Sequence, residues 1–440
     1  MANEYQSRSE RRKHEEDMQR RADENGEKAK NTREEISSKG PKHSKAPKEP
    51  KQKKRRPWRW LWLVLIALII VLVCAAGALY AKSKNAADNS YKPAKIQKAR
   101  DVDKILKEGK PFSVLLLGTD TGELGRDYKG RTDSMMLVTV NPKEKKTTIM
   151  SIPRDTLVAI PGFENQFPSK INGAYEDGSA ATTIQTVQNW LNVPIDFYAL
   201  VNMGGLEKVV NQVGGIQVKS PLTFSFNPDT AHADPGNLYD FTKGSSTYSH
   251  TGKDGQKKTY DTMDGKAALA FSRMRYADPN GDYGRQERQR LVMQGILDKI
   301  KKDPTKVLSS NFIEEIGKST QTDMKFSQVM KIGMKYLGAT QEIKSDHIQG
   351  NSYSLSSGST EVVYRGEQQR ATDVLRKSLD LPKKETGNLY SGNISDADIQ
   401  SAGVPTLTES MQLSTGQDST DVAAQTADTN TGEVVGQNTN

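Results

Sequence analysis

The chain has 440 residues, with 63 Lys and Arg against 54 Asp and Glu, a formal charge of +9, five histidines and one cysteine, Cys74. A lone cysteine excludes an internal disulfide framework, and histidines without helical or Cys-like ligand spacing argue against a zinc site. Of the +9, +8 lies before residue 60, where 19 basic side chains stand against 11 acidic ones, so the excess belongs to a tail and leaves no nucleic-acid footprint on the rest.

Residues 1–57 mix Glu, Lys and Arg with almost no apolar side chains, cannot bury a core, and read as a disordered basic tail. The segment 58–81 reads as one transmembrane helix: Leu61 to Ala81 carries no charge, and roughly 20 such residues cross a hydrocarbon core of about 30 Å. Arg55, Arg56 and Arg59 outnumber Lys82 and Lys84 beyond it, which keeps the N-terminus cytoplasmic and places the rest outside the cell membrane. Trp58, Trp60 and Trp62 suit the headgroup region, and the cluster Lys51 to Arg56 suits anionic lipid. The rival reading is a cleaved signal peptide at Ala76-Gly77-Ala78. The length of the apolar run and the long charged tail before it favour an anchor.

Beyond the anchor, 82–110 reads as a linker, 111–300 as the main domain, 301–384 as its helical C-terminal part, and 385–440 as a disordered, acidic tail rich in Ser, Thr and Asn. Phe112 to Leu117 is a short apolar run ending at Gly118-Thr119-Asp120, the pattern of a strand buried on both faces that stops at a polar loop. Met135 to Val140 and Thr147 to Ile152 form a hairpin across Asn141 to Lys146. A helix is predicted over Ala180 to Leu191, a strand over Phe197 to Val201, a helix over Gly204 to Val213 and a strand over Ile216 to Val218. Residues 222–263 have no strong period and read as a long surface excursion. Helix resumes at Asp264 to Ala270 and from Arg285 to Ile300. This alternation predicts an α/β fold of three layers, a mixed central sheet with helices on both faces.

Three clusters combine carboxylates and arginines at loop edges. Asp120 and Arg131-Thr132-Asp133 flank a Gly-containing loop, and two converging carboxylates hold Mg²⁺ when substrate phosphates complete the shell; singly, each is an ordinary turn or cap residue. Ser151-Ile152-Pro153-Arg154-Asp155 presents an arginine at a strand exit, with Lys170-Ile171-Asn172 following; an Arg and Asp pair is more often a structural salt bridge. Arg273-Met274-Arg275, Asp282, and Arg285 to Arg290 form the densest cluster. Arg273 and Arg275 alternate in an extended segment, while Arg285 and Gln289 share a helix face. Guanidiniums converging in this way match the oxygens of a diphosphate; the bland alternative is a solvated basic face.

Leu116-Leu117-Gly118-Thr119-Asp120, Gly130-Arg131-Thr132-Asp133-Ser134-Met135, Ser151-Ile152-Pro153-Arg154-Asp155, Lys170-Ile171-Asn172-Gly173-Ala174-Tyr175, Pro194-Ile195-Asp196-Phe197-Tyr198 and Gly281-Asp282-Tyr283-Gly284-Arg285 with Arg288-Gln289 resemble the LytR-CpsA-Psr family in content and order, over about Pro111 to Ile300. The resemblance implies an enzyme that moves a glycopolymer, such as a teichoic acid or capsular polysaccharide, from a polyprenyl-pyrophosphate carrier to peptidoglycan through a phosphodiester. It also implies Mg²⁺ as cofactor, with Asp120 and Asp133 as the metal-associated carboxylates. Arg131, Arg154, Lys170, Arg273, Arg275, Arg285 and Gln289 become pyrophosphate contacts, with Arg154, Asp133 and Arg275 closest to catalysis. Asp282 matches a motif carboxylate without an assigned role. A non-catalytic regulator that binds the same lipid, a transcription attenuator acting through the basic tail, and a pyrophosphatase side reaction are the alternatives.

Overall fold

The computed structural model describes residues 84–85, 88, 90–119, 130–303, 312 and 319–404. The basic tail, the apolar run 58–81, Asp120 and the chain beyond 404 lie outside the described residues. Among the described helices none is long and apolar enough to cross a membrane.

Helix α1 (Val102–Glu108) begins where the Asp101 carboxylate accepts from the Lys104 backbone N–H, and ends at Gly109, whose φ of 67° is one that glycine adopts without strain. Then come β1 (Phe112–Thr119), β2 (Thr132–Asn141), β3 (Lys146–Ser151), a two-residue ribbon of β4 (Leu157–Val158) and β5 (Ser169–Lys170), α2 (Gly173–Asp177), α3 (Ala180–Leu191), β6 (Phe197–Asn202) and α4 (Met203–Gln212). Strands β7 (Phe224–Phe226), β8 (Leu238–Phe241), β9 (Tyr248–Thr251) and β10 (Lys257–Tyr260) lead into α5 (Gly265–Arg273) and the 22-residue α6 (Gly281–Lys302). The C-terminal part holds β11 (Thr320–Thr322), α7 (Phe326–Lys335), β12 (Glu342–His347), the hairpin β13 (Asn351–Leu355) and β14 (Gly358–Val362), α8 (Arg365–Ser378) and α9 (Asp396–Ser401).

The central sheet runs β11-β6-β1-β2-β3-β12. It is mixed: β1 is antiparallel to β2 and parallel to β6, and β3 is antiparallel to β2 and parallel to β12. Alternation along the strands divides its side chains between two cores. Leu115, Leu117, Met135, Leu137 and Met150 pack with Ile184, Val187 and Trp190 of α3 and Leu375 of α8. On the other face, Val114 and Phe197 meet Ile105 and Leu106 of α1 and Tyr336, while Met136, Val138 and Ile149 meet Met293 and Leu297 of α6. Each large side chain so buried contributes about 2–3 kcal/mol relative to its exposed state.

Several expectations change. Residues 222–263 are a four-stranded antiparallel sheet ordered β10-β9-β8-β7, whose Phe224, Phe226, Tyr239, Phe241 and Tyr248 pack on α5. The expected strand at Ile216 to Val218 reduces to one bridge between Ile216 and Met263. The C-terminal part is not purely helical, because β11 and β12 complete both edges of the central sheet. The tail read from 385 is packed as far as Val404: Tyr390 meets Phe167 edge-on, and Ser391 Oγ donates to the Thr186 carbonyl at 2.8 Å. A Cβ on Gly387 would meet the Asn189 carbonyl oxygen at 1.7 Å, so glycine permits that close approach.

The linker read for 82–110 joins the fold through ion pairs. Arg100 Nε donates to Asp196 Oδ1 at 2.9 Å, and Asp196, 1% exposed, also accepts from the Ser113 backbone N–H at 2.8 Å. Lys98 pairs with Asp323. Removing one partner of a buried pair strands the other charge. Arg100→Ala should therefore cost about 3 kcal/mol in urea denaturation, against under about 1 kcal/mol for breaking the exposed Lys110 and Glu108 pair.

Candidate functional site

The carboxyl ends of β1, β3, β6 and β12 and the start of β2 lie along one edge of the sheet, the edge at which α/β sheets place ligands. Because β2 enters antiparallel beside the end of β1, with Thr119 opposite Thr132, Asp133 is delivered to this edge. The chain leaving β3 passes through Pro153 to Arg154 and is tied down by backbone bonds. Asn172 N–H donates to the Arg154 carbonyl at 3.1 Å, and Thr132 N–H donates to the Asn172 carbonyl at 3.3 Å. Lys170 comes alongside because β5 pairs with β4, Leu157 standing opposite Lys170.

Arg154 is the hub. Its Nη1 donates to Asp133 Oδ1 at 2.6 Å, and its Nε lies 3.4 Å from Asp155 Oδ2 and 3.5 Å from Asp282 Oδ1. Burial opposes its charge, but Asp133, Asp282 and Asp155 together raise its pKa. Lys170 Nζ pairs with Asp155 at 3.0 Å. From α6, Asp282 Oδ1 stands 2.6 Å from Arg285 Nη2 and 3.9 Å from Arg275 Nε, so one carboxylate faces three guanidiniums. Arg285 Nη2 also donates to the Asp133 carbonyl at 3.2 Å; its pKa is lowered by burial first, with Arg154 and Arg275 adding to the effect against the pull of Asp282 and Asp133.

Arg154 Nε, Arg285 Nε and Asp282 Oδ1 are buried without a described hydrogen bond; Arg154 Nε and Asp282 Oδ1 are 3.5 Å apart, and Arg285 reaches that carboxylate through Nη2. Buried polar atoms are ordinarily satisfied, so the two guanidinium nitrogens hold donor capacity that an oxyanion would use. Asp133 is its most open carboxylate, with a side chain 40% exposed against 19% for Asp155 and 18% for Asp282.

The other predicted residues are placed differently. Gln289, one turn after Arg285, accepts from Ser134 Oγ at 2.9 Å and thereby joins α6 to β2. Arg131 Nε donates to Glu176 Oε2 at 2.9 Å, an exposed pair beside the cluster. Arg273 and Arg275 do not alternate in an extended segment: Arg273 is the last residue of α5, and its Nη1 donates to the Pro228 carbonyl at 3.3 Å. Arg275 follows the helix end and turns to Asp282. Asp120 lies outside the described residues. Asp155, weighed from the sequence only as a salt-bridge partner of Arg154, enters the site together with Gln286, whose Nε2 donates to Asp282 Oδ2 at 3.1 Å and whose spacing of four from Asp282 was the available signal. Arg288 is structural, fully buried and bonded to Asp278 and to the Phe271 carbonyl. A Cβ on Gly284 would lie 2.0 Å from Asp278, so that glycine makes room for the Arg288 pair.

The sequence profile of the LytR_cpsA_psr family matches residues 77–379. The chain belongs to the LytR_cpsA_psr family. It is similar to a polyisoprenyl-teichoic acid–peptidoglycan teichoic acid transferase, TagU, of Enterococcus faecalis, 39% identical over 68% of this chain and 90% of that protein. It is also similar to biofilm regulatory protein A of Streptococcus mutans, 35% identical over 65% of this chain and 68% of the relative. The crystal structure of protein gbs0355 from Streptococcus agalactiae superposes with a TM-score of 0.55 at 31% identity, over 69% of this chain and 98% of that one. The family match spans the residues that build the Arg154 cluster, and the solved relative agrees with the mixed α/β sheet.

In this family member Asp282 already neutralises part of the charge that an anion would meet. Asp282→Asn should tighten inorganic pyrophosphate binding by about tenfold, the size expected for removing one charge near a diphosphate at a partly screened site. Titration calorimetry at fixed ionic strength checks this; weaker binding would mean that Asp282 serves chiefly to align the arginines.

Proposed function

We propose that the chain is a glycopolymer transferase that moves a teichoic acid or capsular-type polysaccharide from a polyprenyl-pyrophosphate carrier to peptidoglycan, forming a phosphodiester. The observation that carries this reading is the convergence of Arg154, Arg275 and Arg285 on one carboxylate at the ligand edge of the sheet, with buried guanidinium nitrogens unsatisfied. Membership of a family with named teichoic acid transferases supports it.

In the proposed reaction an acceptor sugar hydroxyl attacks the glycan-proximal phosphorus. A new O–P bond forms, the bond to the bridging oxygen breaks, and polyprenyl phosphate departs with the electron pair. Arg154, Arg275 and Arg285 hold the phosphate oxygens and offset charge as it builds on them, so the rate enhancement comes from positioning and electrostatics. Lys170, held by Asp155, and Gln289, held by Ser134, border this position. The hydroxyl proton passes to a carboxylate that holds no metal, because a ligating carboxylate is a poor free base.

Among the described residues no group of three carboxylates, cysteines or histidines forms a metal cage. The donor set still fits Mg²⁺, which binds through one or two carboxylates plus substrate phosphates. Asp133 would hold it, with Asp120 as the second carboxylate, and Mg²⁺ would supply further charge neutralisation on the phosphates. The lipid chain would need an apolar groove beside the sheet. Val209 on α4 is half-buried and suits such a groove, whereas Val210 is fully buried core. The run 58–81 would anchor the domain outside the cell membrane, near a lipid-borne donor.

The test incubates the full chain with a lipid-pyrophosphate-linked oligosaccharide, peptidoglycan fragments and Mg²⁺, and reads products by mass. A phosphodiester-linked product that disappears with EDTA is expected. Arg154→Ala and Arg275→Ala should each lower turnover by about 10²–10³-fold, the range for removing one transition-state donor, with circular dichroism unchanged. Tight lipid binding without product would favour a regulatory binder, and hydrolysis to polyprenyl phosphate and glycan phosphate without transfer would mark a pyrophosphatase.

A further inference from the structure

Helix α6 has a second polar flank. Tyr283, Glu287, Arg290 and Gln294 recur at helical spacing and, with Ser345 and Gln349 near the end of β12, line a cavity of about 570 Å³, within the size range of small-ligand sites. The Asp282, Arg285 and Gln289 side chains that serve the Arg154 cluster are not part of this lining.

The charges in the cavity select the ligand class. Arg290 is 8% exposed and its described hydrogen bond is a single one, from Nη1 to Ser151 Oγ at 2.9 Å; no described ion pair joins it to Glu287, which lines the same space. Burial lowers the pKa of His347 and the neighbouring Arg290 lowers it further, so the imidazole adds no cation at neutral pH. A simple anion would meet Glu287 and a simple cation would meet Arg290. A polyhydroxyl ligand donates to the carboxylate and accepts from the guanidinium, and gains from both. Leu291, together with the Tyr283 ring 5.7 Å from that of His347, supplies the apolar surface that the faces of a sugar ring need.

We propose that this cavity is a saccharide subsite, filled by an N-acetylated hexosamine of the glycan that reacts at the neighbouring cluster. The identity of the reacting glycan rests on the transferase reading; occupancy of the cavity does not. Ser151 links the two places, because Arg290 grips it three residues before Arg154. The hexosamine belongs either to the peptidoglycan acceptor or to the first sugars of the donor, and both present the same hydroxyl and acetamido chemistry.

The experiment titrates the full chain in detergent, by calorimetry, with an N-acetylglucosaminyl-N-acetylmuramyl disaccharide in the presence of saturating inorganic pyrophosphate and, separately, with an N-acetylhexosaminyl 1-phosphate in its absence, since that phosphate needs the same arginines. Binding of at least one is expected, weakened about tenfold in Glu287→Ala, the loss typical of a charge-assisted hydrogen bond, and abolished in Ser345→Phe, which fills the cavity. Pyrophosphate affinity in both variants should match that of the unsubstituted chain, which certifies their folding. Preference for the disaccharide assigns the cavity to the acceptor, and preference for the sugar phosphate assigns it to the donor. Failure of both ligands to bind, or unchanged saccharide affinity in variants that still bind pyrophosphate, overturns the proposal. Saccharide binding without any pyrophosphate binding would sustain the subsite and sink the transferase reading instead.

Discussion

Three guanidiniums held within reach of one another repel strongly, and the carboxylates of Asp282, Asp133 and Asp155 together offset that repulsion. At an effective dielectric of about 20, two like charges 6 Å apart cost nearly 3 kcal/mol. Arg154 arrives from the exit of β3, Arg275 from the end of α5 and Arg285 from α6 itself, so Asp282 ties together parts of the chain that are distant in sequence. Asp133 and Asp155 complete the neutralisation from the β2 and β3 side. The resting site is thus close to charge balance, and its carboxylates keep the arginines preorganised.

The scaffold explains why that balance survives. The cluster stands on a six-stranded sheet buried on both faces, and α6 is clamped against it by Met293, Leu297 and the Gln289 to Ser134 hydrogen bond. Helix α5, which aims Arg275, is fixed from its other side by the aromatic sheet β7 to β10 and by the close approach of Gly265 to α4, where a Cβ would lie 2.2 Å from the Glu207 carbonyl oxygen. Residues 222–263 thereby act on the site through α5.

The central strands and α3 were legible because their apolar residues carry clean periods: Ala180 to Leu191 forms a helix over the predicted bounds. The clustering of Arg154, Asp133, Asp282 and Arg285 was legible only as motifs in order, since their convergence depends on strand register. What escaped has identifiable causes. Strand β12 reads Glu-Ile-Lys-Ser-Asp-His, a polar edge strand held mainly by backbone pairing with β3, and β11 has three residues. Strands β7 to β10 are too short and too widely separated for alternation to stand out, although Tyr239 and Phe241 do alternate inward. Asp196 sits in a motif quoted for its resemblance, yet the structure gives it the task of anchoring Arg100.

The parallel pairing of β3 with β12 carries a consequence for how the molecule is made. β3 ends at Ser151, and the strand that covers its open side begins at Glu342, so about 190 residues are synthesised between them. Until that late segment arrives, β3 presents unpaired backbone donors and acceptors, the kind of edge that recruits foreign strands. The sheet that carries the reactive arginines therefore closes near the end of chain synthesis, and its maturation is slow in the way of folds whose decisive contacts are remote in sequence. A chaperone able to occupy that edge during the wait would raise the yield of active protein without touching the finished site.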